Sequence, residues 1–223
     1  MGLEYRKSVL VRSQTQSPVR EIFFDDFEDL LKWSTGGNPV GYSGALDTTT
    51  AYNGSKSLKI LTDAVTPAVG DYVETFRQIA RFPARRIRFT FYSKCGATSW
   101  HDFKVNVCVG DTDDSTEFAI RVDTTTNTLK YQDSAGTFQP FVGQVFGDPS
   151  SQFQIISFVI DPTAGEFIYA EINDQHFDMA GIAGKTGTPP TEARGLYVAV
   201  RTTTRDTDQG VNWIDTVLIE TAD

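Results

Sequence analysis

The residues that could carry out acid–base or nucleophilic chemistry are few in this chain and poorly spaced for it. His101 and His176 are its two histidines, and no Gly-x-Ser-x-Gly sequence is present to position a nucleophilic serine. Glycoside hydrolysis needs two carboxylates that flank the scissile bond. In the best local candidate, Glu171-Ile172-Asn173-Asp174, an asparagine occupies the alternate position where the second carboxylate would be needed. We therefore expect no enzymatic activity.

Exposed aromatic rings are the remaining side chains that could bind a ligand, by stacking against a sugar ring. Trp100 is the best candidate because it stands beside His101 and Asp102 in an expected loop, and Tyr92 is a further candidate. The alternative for each ring is burial, which is the more common location of Trp and Tyr in a chain with 16 Phe. The candidate glycan-binding residues are accordingly Trp100, Tyr92 and His101.

The net charge and the N-terminal sequence indicate which partners and which location to expect. The formal net charge is −9, and an acidic surface repels phosphate backbones, so we expect no nucleic-acid partner. No apolar run is long enough for a transmembrane helix, so we expect no membrane insertion. Residues 1–7 lack the apolar core of a secretory signal. We therefore expect a protein that stays in the cell that makes it, or an extracellular one whose signal has been removed.

Alternation of apolar and polar residues with period two dominates the chain and predicts β-strands. Apolar residues occupy every second position in runs such as Ile87–Phe91, Phe103–Val109, Phe118–Val122 and Leu196–Val200. Each run has one apolar row for a core and one polar row for the opposite face. Gln154–Ile160 is apolar on both faces, which is typical of a central strand. No segment sustains a helical period of 3.6 residues for long.

Turn sequences separate these runs and complete the prediction of an antiparallel sandwich. About ten to twelve strands joined in this way predict an all-β domain of two packed sheets. One expected hairpin joins 85–95 to 102–109 around 96–101. It would hold the sulfurs of Cys95 and Cys108 roughly 20 Å apart, at about 3.3 Å per strand residue. No disulfide is therefore expected.

Three short segments resemble a known group of sandwiches. They are Phe24-Asp25-Asp26-Phe27-Glu28-Asp29, the turn within Tyr52–Lys59, and the closing strand Trp213–Glu220. Together they resemble the jelly-roll β-sandwiches of carbohydrate-binding modules and of the concanavalin A-like lectin and glucanase superfamily, over roughly residues 21–223. The resemblance implies an antiparallel jelly-roll β-sandwich, and it favours glycan binding.

The same resemblance implies one structural Ca2+. In the carbohydrate-binding jelly rolls, a calcium ion often ties the first strand, the early turn and the last strand together. The matching positions here are Asp26 or Glu28, the backbone carbonyl of Lys56, and Asp215, and carboxylate and carbonyl oxygens are ligands that Ca2+ prefers. Many relatives have a second Asp where this chain has Thr216. The alternative is that the N-terminal acids cap a turn and that Asp215 accepts a hydrogen bond from a backbone amide.

Residues 1–20 differ in charge from the rest of the chain and are expected to form an extended N-terminal arm before a jelly-roll domain of residues 21–223. Four basic side chains and one acidic side chain give the arm +3, which leaves −12 for the body within the total of −9. A basic arm on an acidic body favours docking on a neighbouring subunit, and the alternative is packing on its own body. The residues expected at such a subunit contact are Leu3, Arg6, Lys7, Val9 and Arg12.

Two classes of function remain. The first is a non-enzymatic structural protein, such as a phage capsid decoration or tail protein, whose arm contacts its neighbours in a homo-oligomer or larger assembly. The second is a carbohydrate-binding module with lectin-like glycan binding. The basic arm and the absent signal favour the first class, which would place the protein in a virion, whereas the resemblance favours the second.

Overall fold

The computed structural model describes residues 19–29, 32–38, 40–63, 65–80, 84–97, 99–108, 115–144, 147–187 and 195–222. The arm lies almost entirely outside the described residues. So do the five residues expected at a subunit contact, which are Leu3, Arg6, Lys7, Val9 and Arg12. Docking of the arm therefore stays a prediction.

Within the described residues, all the regular structure is β-strand, as the alternation predicts, and no helix there is long and apolar enough to cross a membrane. The strands are β1 (Glu21–Asp25), β2 (Ser34–Gly37), β3 (Ser43–Asp47), β4 (Ser57–Leu61), β5 (Tyr72–Ile79), β6 (Ile87–Cys95), β7 (Ser99–Cys108), β8 (Ser115–Asp123), β9 (Thr128–Gln132), β10 (Phe138–Pro140), β11 (Gln154–Asp161), β12 (Glu166–Ile172), β13 (Gln175–Ala183), β14 (Lys185–Gly187), β15 (Leu196–Thr204) and β16 (Val211–Thr221).

The strands form two antiparallel sheets of eight strands each. The first sheet has the order β13-β12-β11-β6-β16-β4-β3, with β1 also paired to β16. The second sheet has the order β10-β9-β8-β7-β15-β5-β2, with β14 also paired to β8. Strands that are distant in sequence lie side by side in both sheets. The architecture confirms the predicted antiparallel jelly-roll β-sandwich.

Phenylalanine rings from the inner faces of both sheets form the centre of the core. The ring centroids of Phe91 and Phe103 lie 5.1 Å apart, and those of Phe118 and Phe167 lie 5.0 Å apart. Each pair joins one sheet to the other. Burial of one such side chain contributes about 1.5–3 kcal/mol, so these rings hold the two sheets together. The fully buried phenylalanines are Phe27, Phe89, Phe91, Phe103, Phe118, Phe158 and Phe167.

The expected hairpin between 85–95 and 102–109 is wrong. β6 lies between β11 and β16 in the first sheet, whereas β7 lies between β8 and β15 in the second. The chain therefore crosses between the sheets after Cys95, and the Gly96 N–H donates to the carbonyl of Val211 at 2.8 Å. The alternation of apolar and polar residues identifies the side chains that face the core. A strand has the same alternation whether it joins the sheet of the preceding strand or the opposite sheet, so the pattern does not distinguish a hairpin from a crossing.

The predicted central strand is confirmed. β11 lies between β6 and β12. Asp161 closes the turn to β12 by accepting the backbone N–H groups of Thr163 and Ala164, each at 2.9 Å. Gly165 completes this turn with φ of 70°, a conformation that glycine adopts without strain.

Both cysteines are buried free thiols. Cys95 faces the core, and its burial raises the pKa of the thiol to about 12. Cys108 lies in a small apolar cluster with Tyr197 and Ala199 on the outward side of the second sheet. Cys95 and Cys108 are therefore kept apart because they lie in different sheets, and not because a hairpin separates them.

Candidate functional site

A β-bulge attaches the early turn, residues 52–56, to the last strand. Asp215 is the extra residue where β16 shifts its register against β6, just after Ile214. β4 ends its pairing with β16 at this point, and β1 begins its pairing further along. A bulge redirects the side chain of its extra residue. The Asp215 carboxylate accepts the backbone N–H groups of Tyr52 at 2.6 Å and of Asn53 at 3.2 Å.

Glu28 holds the other half of the same turn. Its Oε1 accepts the backbone N–H groups of Ser55 at 2.7 Å and of Lys56 at 2.8 Å, and its Oε2 accepts the Ser55 hydroxyl at 2.8 Å. Lys56 Nζ donates to the Glu28 carbonyl oxygen at 2.5 Å. The Ser55 hydroxyl, followed by the two backbone amides, lowers the pKa of the Glu28 carboxyl. We call Glu28, Lys56, Asp215 and the turn between them the early-turn clamp.

The early-turn clamp brings together the segments named by the resemblance, but its geometry does not fit the implied calcium site. The carboxylate oxygens of Glu28 and Asp215 already accept N–H and O–H donors, and the Lys56 ammonium donates to the backbone carbonyl oxygen of Glu28. Asp26 Oδ1 accepts the Glu28 N–H at 3.3 Å, which is the turn-capping alternative. Across the described ranges, no group of three or more His, Cys, Asp and Glu side chains could hold a metal ion. No observation tests calcium binding directly, and the hydrogen bonds of the early-turn clamp lead us to expect no bound ion.

The structure separates the three residues expected to bind a glycan. Trp100 lies on β7 and points outward from the second sheet, whereas Tyr92 lies on β6 and points outward from the first sheet. His101 follows Trp100 on β7, so it points to the opposite side, into the core. The expected loop position of Trp100 and His101 is wrong, and the three side chains do not share a surface.

His101 is fully buried between the sheets. Its Nε2 lies 3.1 Å from the Ser99 hydroxyl oxygen, and burial lowers the pKa of the imidazole to about 3. The ring is therefore neutral at physiological pH, and it is enclosed where a surface-bound sugar does not reach it.

The outward side of the second sheet carries a row of charged side chains of both signs, and we call this side the charged face. Strands β9, β8, β7, β15 and β5 place Lys130, Arg121, Asp102, Arg201 and Glu74 in register. Neighbouring strands are about 4.8 Å apart, so these groups meet side by side. Arg121 donates to both carboxylate oxygens of Asp102, at 2.6 and 2.9 Å. Arg201 Nε donates to Glu74 Oε2 at 2.8 Å.

Aromatic rings border this row. Trp100 and Tyr72 occupy the next outward-facing register, on β7 and β5. The guanidinium carbon of Arg121 lies 5.3 Å from the centroid of the Trp100 ring and 3.8 Å from that of Phe138. Arg201 lies 4.3 Å from the centroid of the Tyr72 ring. Each arginine is therefore held by a carboxylate and by an aromatic ring at the same time.

Lys104 joins two carboxylates at the middle of the charged face. Its Nζ lies 2.9 Å from Glu117 Oε2 and 3.8 Å from Glu74 Oε2. Burial opposes ionisation of Glu117, but Lys104 outweighs it and the net effect lowers the pKa of this carboxyl. The Tyr197 hydroxyl donates to Glu74 at 2.7 Å, and burial together with the Glu74 charge raises the pKa of Tyr197. Glu117 is thus ionised and Tyr197 is protonated over the physiological range.

The sequence alone predicts few residues of the charged face as functional. Lys104, Arg121 and Arg201 occupy the polar rows of the alternating runs, so the signal was present in the sequence. The strand register, which sets these side chains next to one another, was not visible there. Tyr72 and Glu74 lie on β5, a strand for which no alternation was identified.

The Glu171–Asp174 segment lies elsewhere, at the end of the β12–β13 hairpin of the first sheet. Glu171 forms an ion pair with Arg88 and lies 3.5 Å from His176 Nδ1. Asn173 has φ of 55° in the turn, and its amide donates to Gln154 Oε1 at 2.7 Å. Asn173 therefore stabilises the turn between β12 and β13, a role that asparagine commonly has in tight turns.

Solved structures of carbohydrate-active proteins share this fold. The carbohydrate esterase vb_24B_21 from the Shiga toxin-encoding bacteriophage phi24B has a TM-score of 0.58 and 14% identity, covering 92% of this chain and 100% of that chain. The cellulose-induced protein Cip1 has a TM-score of 0.55 and 18% identity, covering 88% and 96%. A prokaryotic β-1,3-1,4-glucanase derived from a mouse hindgut metagenome has a TM-score of 0.54 and 13% identity, covering 89% and 98%.

The similarity confirms the resemblance at the level of fold. Two glucanases are among the matching structures, with TM-scores of 0.54 and 0.51. No protein-family model matches the chain, and no curated protein matches it. The fold is the jelly roll of the concanavalin A-like and carbohydrate-binding sandwiches, and this fold occurs with and without catalysis.

Proposed function

We propose that the protein binds a glycan on the charged face and has no enzymatic activity. The observation that carries the proposal is the presence, on one sheet, of Trp100 and Tyr72 beside a row of paired arginines and carboxylates. The two rings lie on β7 and β5 with β15 between them. Two strand spacings separate them by about 10 Å, which is comparable to the length of two linked sugar rings.

Both kinds of group suit a sugar. Aromatic rings stack on the apolar faces of pyranose rings, and Trp and Tyr combine such a ring with a polar edge. Arg121 and Arg201 have N–H donors to spare beyond their carboxylate partners, because a guanidinium has five N–H groups. Hydrogen bonds from charged groups to sugar hydroxyls are stronger than neutral ones. Since the charges are already paired, the charged face suits a neutral glycan.

The chemistry of the charged face favours binding over hydrolysis. A glycosidase needs one carboxylic acid whose pKa is raised, so that it can protonate the leaving group. The pKa of Glu117 is lowered instead. Asp102 is engaged through both oxygens by Arg121.

Affinity electrophoresis in gels containing soluble neutral β-glucans tests this proposal. We expect Trp100→Ala to weaken binding at least tenfold, about 1.4 kcal/mol. Tyr169→Ala, on β12 of the first sheet, is the matched control and should bind as the wild type does. Unchanged binding by Trp100→Ala would contradict the glycan site. Release of reducing sugar by the wild-type protein would contradict the absence of activity.

A structural role in an assembly is the second candidate, favoured by exposed apolar side chains on two adjoining loops. Val40, Val65 and Val69 are 88%, 85% and 65% exposed. A hydrogen bond of 2.6 Å from the Tyr72 N–H to Asn38 Oδ1 joins the two loop regions. Contiguous apolar surface is a common feature of protein contacts. The shared fold of a bacteriophage protein is compatible with a capsid decoration or tail protein.

Sedimentation of the full chain and of a chain lacking residues 1–20 tests the assembly role. We expect the full chain to form an oligomer that the truncation weakens. Replacement of Arg6, Lys7 and Arg12 together by Ala should weaken it in the same way if charge attraction holds the arm. Equal masses for the full and truncated chains would refute docking of the arm.

A further inference from the structure

The outward side of the first sheet carries a tryptophan with an ammonium group on either side. Trp213 of β16 is in register with Lys59 of β4 and with Lys94 of β6. The Nζ atoms of these lysines lie 5.5 and 5.8 Å from the centroid of the Trp213 ring. Trp213 Nε1 donates to Asp47 Oδ2 at 2.8 Å. The hydrogen bond fixes the orientation of the indole between the two cations.

Three further rings lie on the same side of the sandwich. The Tyr52 ring centroid lies 5.3 Å from that of Tyr92 and 5.8 Å from that of Phe153. Tyr52 is 51% exposed, and its backbone N–H is held by Asp215 in the early-turn clamp. The ring therefore stands on a fixed backbone. We call these three rings, together with Lys59, Lys94 and Trp213, the Trp213 surface.

The lysines of the Trp213 surface differ from those of the charged face. Lys104 and Lys130 each have a carboxylate within 3.0 Å. In the part of the chain that the structure describes, neither Lys59 nor Lys94 forms an ion pair within 4.0 Å. Burial opposes ionisation of Asp47, but hydrogen bonds from Thr49 and Trp213 and the Lys59 charge outweigh it and lower the pKa of this carboxyl. Asp47 therefore offsets part of the Lys59 charge, and the positive charge available for an anion comes chiefly from Lys94, on a chain whose net charge is −9.

We propose that the Trp213 surface binds an acidic glycan, one whose sugar rings bear carboxylate groups. Carboxylates on sugar rings that lie to either side of Trp213 would pair with Lys59 and Lys94. Each step from one strand to the next is about 4.8 Å, which is close to the length of one sugar ring in an extended chain. The alternation of cation, ring and cation across three strands thus matches a repeating acidic chain that crosses the strands. This site is independent of the glycan site proposed on the charged face, because the two lie on opposite sides of the sandwich.

Binding of polygalacturonate to the full chain, measured by isothermal titration calorimetry, tests the proposal. We expect Lys59→Ala with Lys94→Ala to weaken binding at least tenfold. The matched control replaces Lys32 and Arg85, two exposed basic residues at other positions, and changes the net charge by the same amount. It should leave binding within twofold of the wild type. The wild-type affinity should fall with salt, since the screening length shortens from about 8 Å at 0.15 M to about 3 Å at 1 M.

Several outcomes would overturn this assignment. Equal losses in the two double variants would show that net charge, and not the Trp213 surface, attracts the polymer. Loss of polygalacturonate binding in Trp100→Ala with retention in the Lys59 and Lys94 variant would move the site to the charged face. No binding by the wild type would refute the proposal, and a change of oligomeric mass in the lysine variant would show that the surface contacts a second copy of the chain. Circular dichroism of each variant establishes that a loss is not due to unfolding.

Discussion

The two sheets hold their buried carboxylates in different ways. Asp102, on the charged face, is 3% exposed and is paired with the guanidinium of Arg121. Asp215, on the last strand of the first sheet, is fully buried and accepts backbone N–H groups of the early turn. A side-chain partner can shift to admit a ligand hydroxyl, whereas a backbone amide is released only when the turn opens. The charged face is accordingly suited to binding, and the early-turn clamp to holding the chain in place.

The largest effect on stability is expected from Arg121→Ala on the charged face. The change leaves the buried Asp102 carboxylate without its bidentate partner. Loss of one member of a buried pair costs several kcal/mol. We expect about 3 kcal/mol here, the lower end of that range, because the Arg121 side chain is 22% exposed and water can reach the site. Urea denaturation measures the change in free energy of unfolding.

The matched control for this prediction is Arg88→Ala on the first sheet. The Arg88–Glu171 pair has side chains that are 34% and 31% exposed, and exposed pairs contribute less than about 1 kcal/mol. Equal losses of stability in the two variants would refute the contrast between a buried and an exposed pair.

Asp215→Ala is expected to have the next largest effect. It removes the acceptor for two backbone N–H groups of the early turn, at a position that is fully buried. Hydrogen bonds to a charged acceptor contribute about 1.5–3 kcal/mol. Hydrogen exchange should also accelerate at the amides of Tyr52 and Asn53 before it does so in β16. Unchanged exchange at these two amides would show that the carboxylate does not hold the turn.

The fold was predictable from the sequence because alternation reports burial directly. The inner rows at Phe89 and Phe91 of β6, and at Phe103 and Val105 of β7, are buried as the pattern predicts. The sheet to which each strand belongs was not predictable. The chain crosses from the first sheet to the second at Gly96, and this crossing leaves the alternation in β6 and in β7 unchanged. This is why an expected hairpin became two strands in opposite sheets.

The candidate sites were less predictable, because they depend on register and on a single bulge. His101 faces the core only because the strand β7 begins at Ser99, before the expected loop ends. Asp215 reaches the early turn only because of a register shift that no pattern in the sequence indicates. The charged face forms only when five strands pair in one register. That register depends on pairing between strands that are distant in sequence, which the alternation within each strand does not indicate.

The pH dependence of stability should separate the early-turn clamp from the rest of the molecule. The pKa of Glu28 is lowered from its ordinary value of 4.5, chiefly by the Ser55 hydroxyl. A carboxyl with a lower pKa in the folded state binds fewer protons there, so its contribution is complete above pH 4.5 and is lost as the pH falls through the folded value. Glu28→Gln should therefore lower the melting temperature at pH 7 and flatten its fall below pH 4.5, so that the two proteins converge at low pH. A parallel fall in both proteins would contradict this contribution.

The smallest effect is expected from chelation, because the early-turn clamp is held by hydrogen-bond donors of the chain itself. A ligand that binds only the folded state raises its melting temperature, so a calcium ion at Glu28 and Asp215 would make that temperature fall on addition of EDTA. We expect no change with EDTA, since Lys56 Nζ already lies at the Glu28 carbonyl oxygen. Lys56→Met should cost less than about 1 kcal/mol, as for other partly exposed charged contacts, and Lys32→Met is its control. A melting temperature that falls with EDTA and recovers with added calcium would show that an ion displaces these donors, and the calcium site implied by the resemblance would then be established.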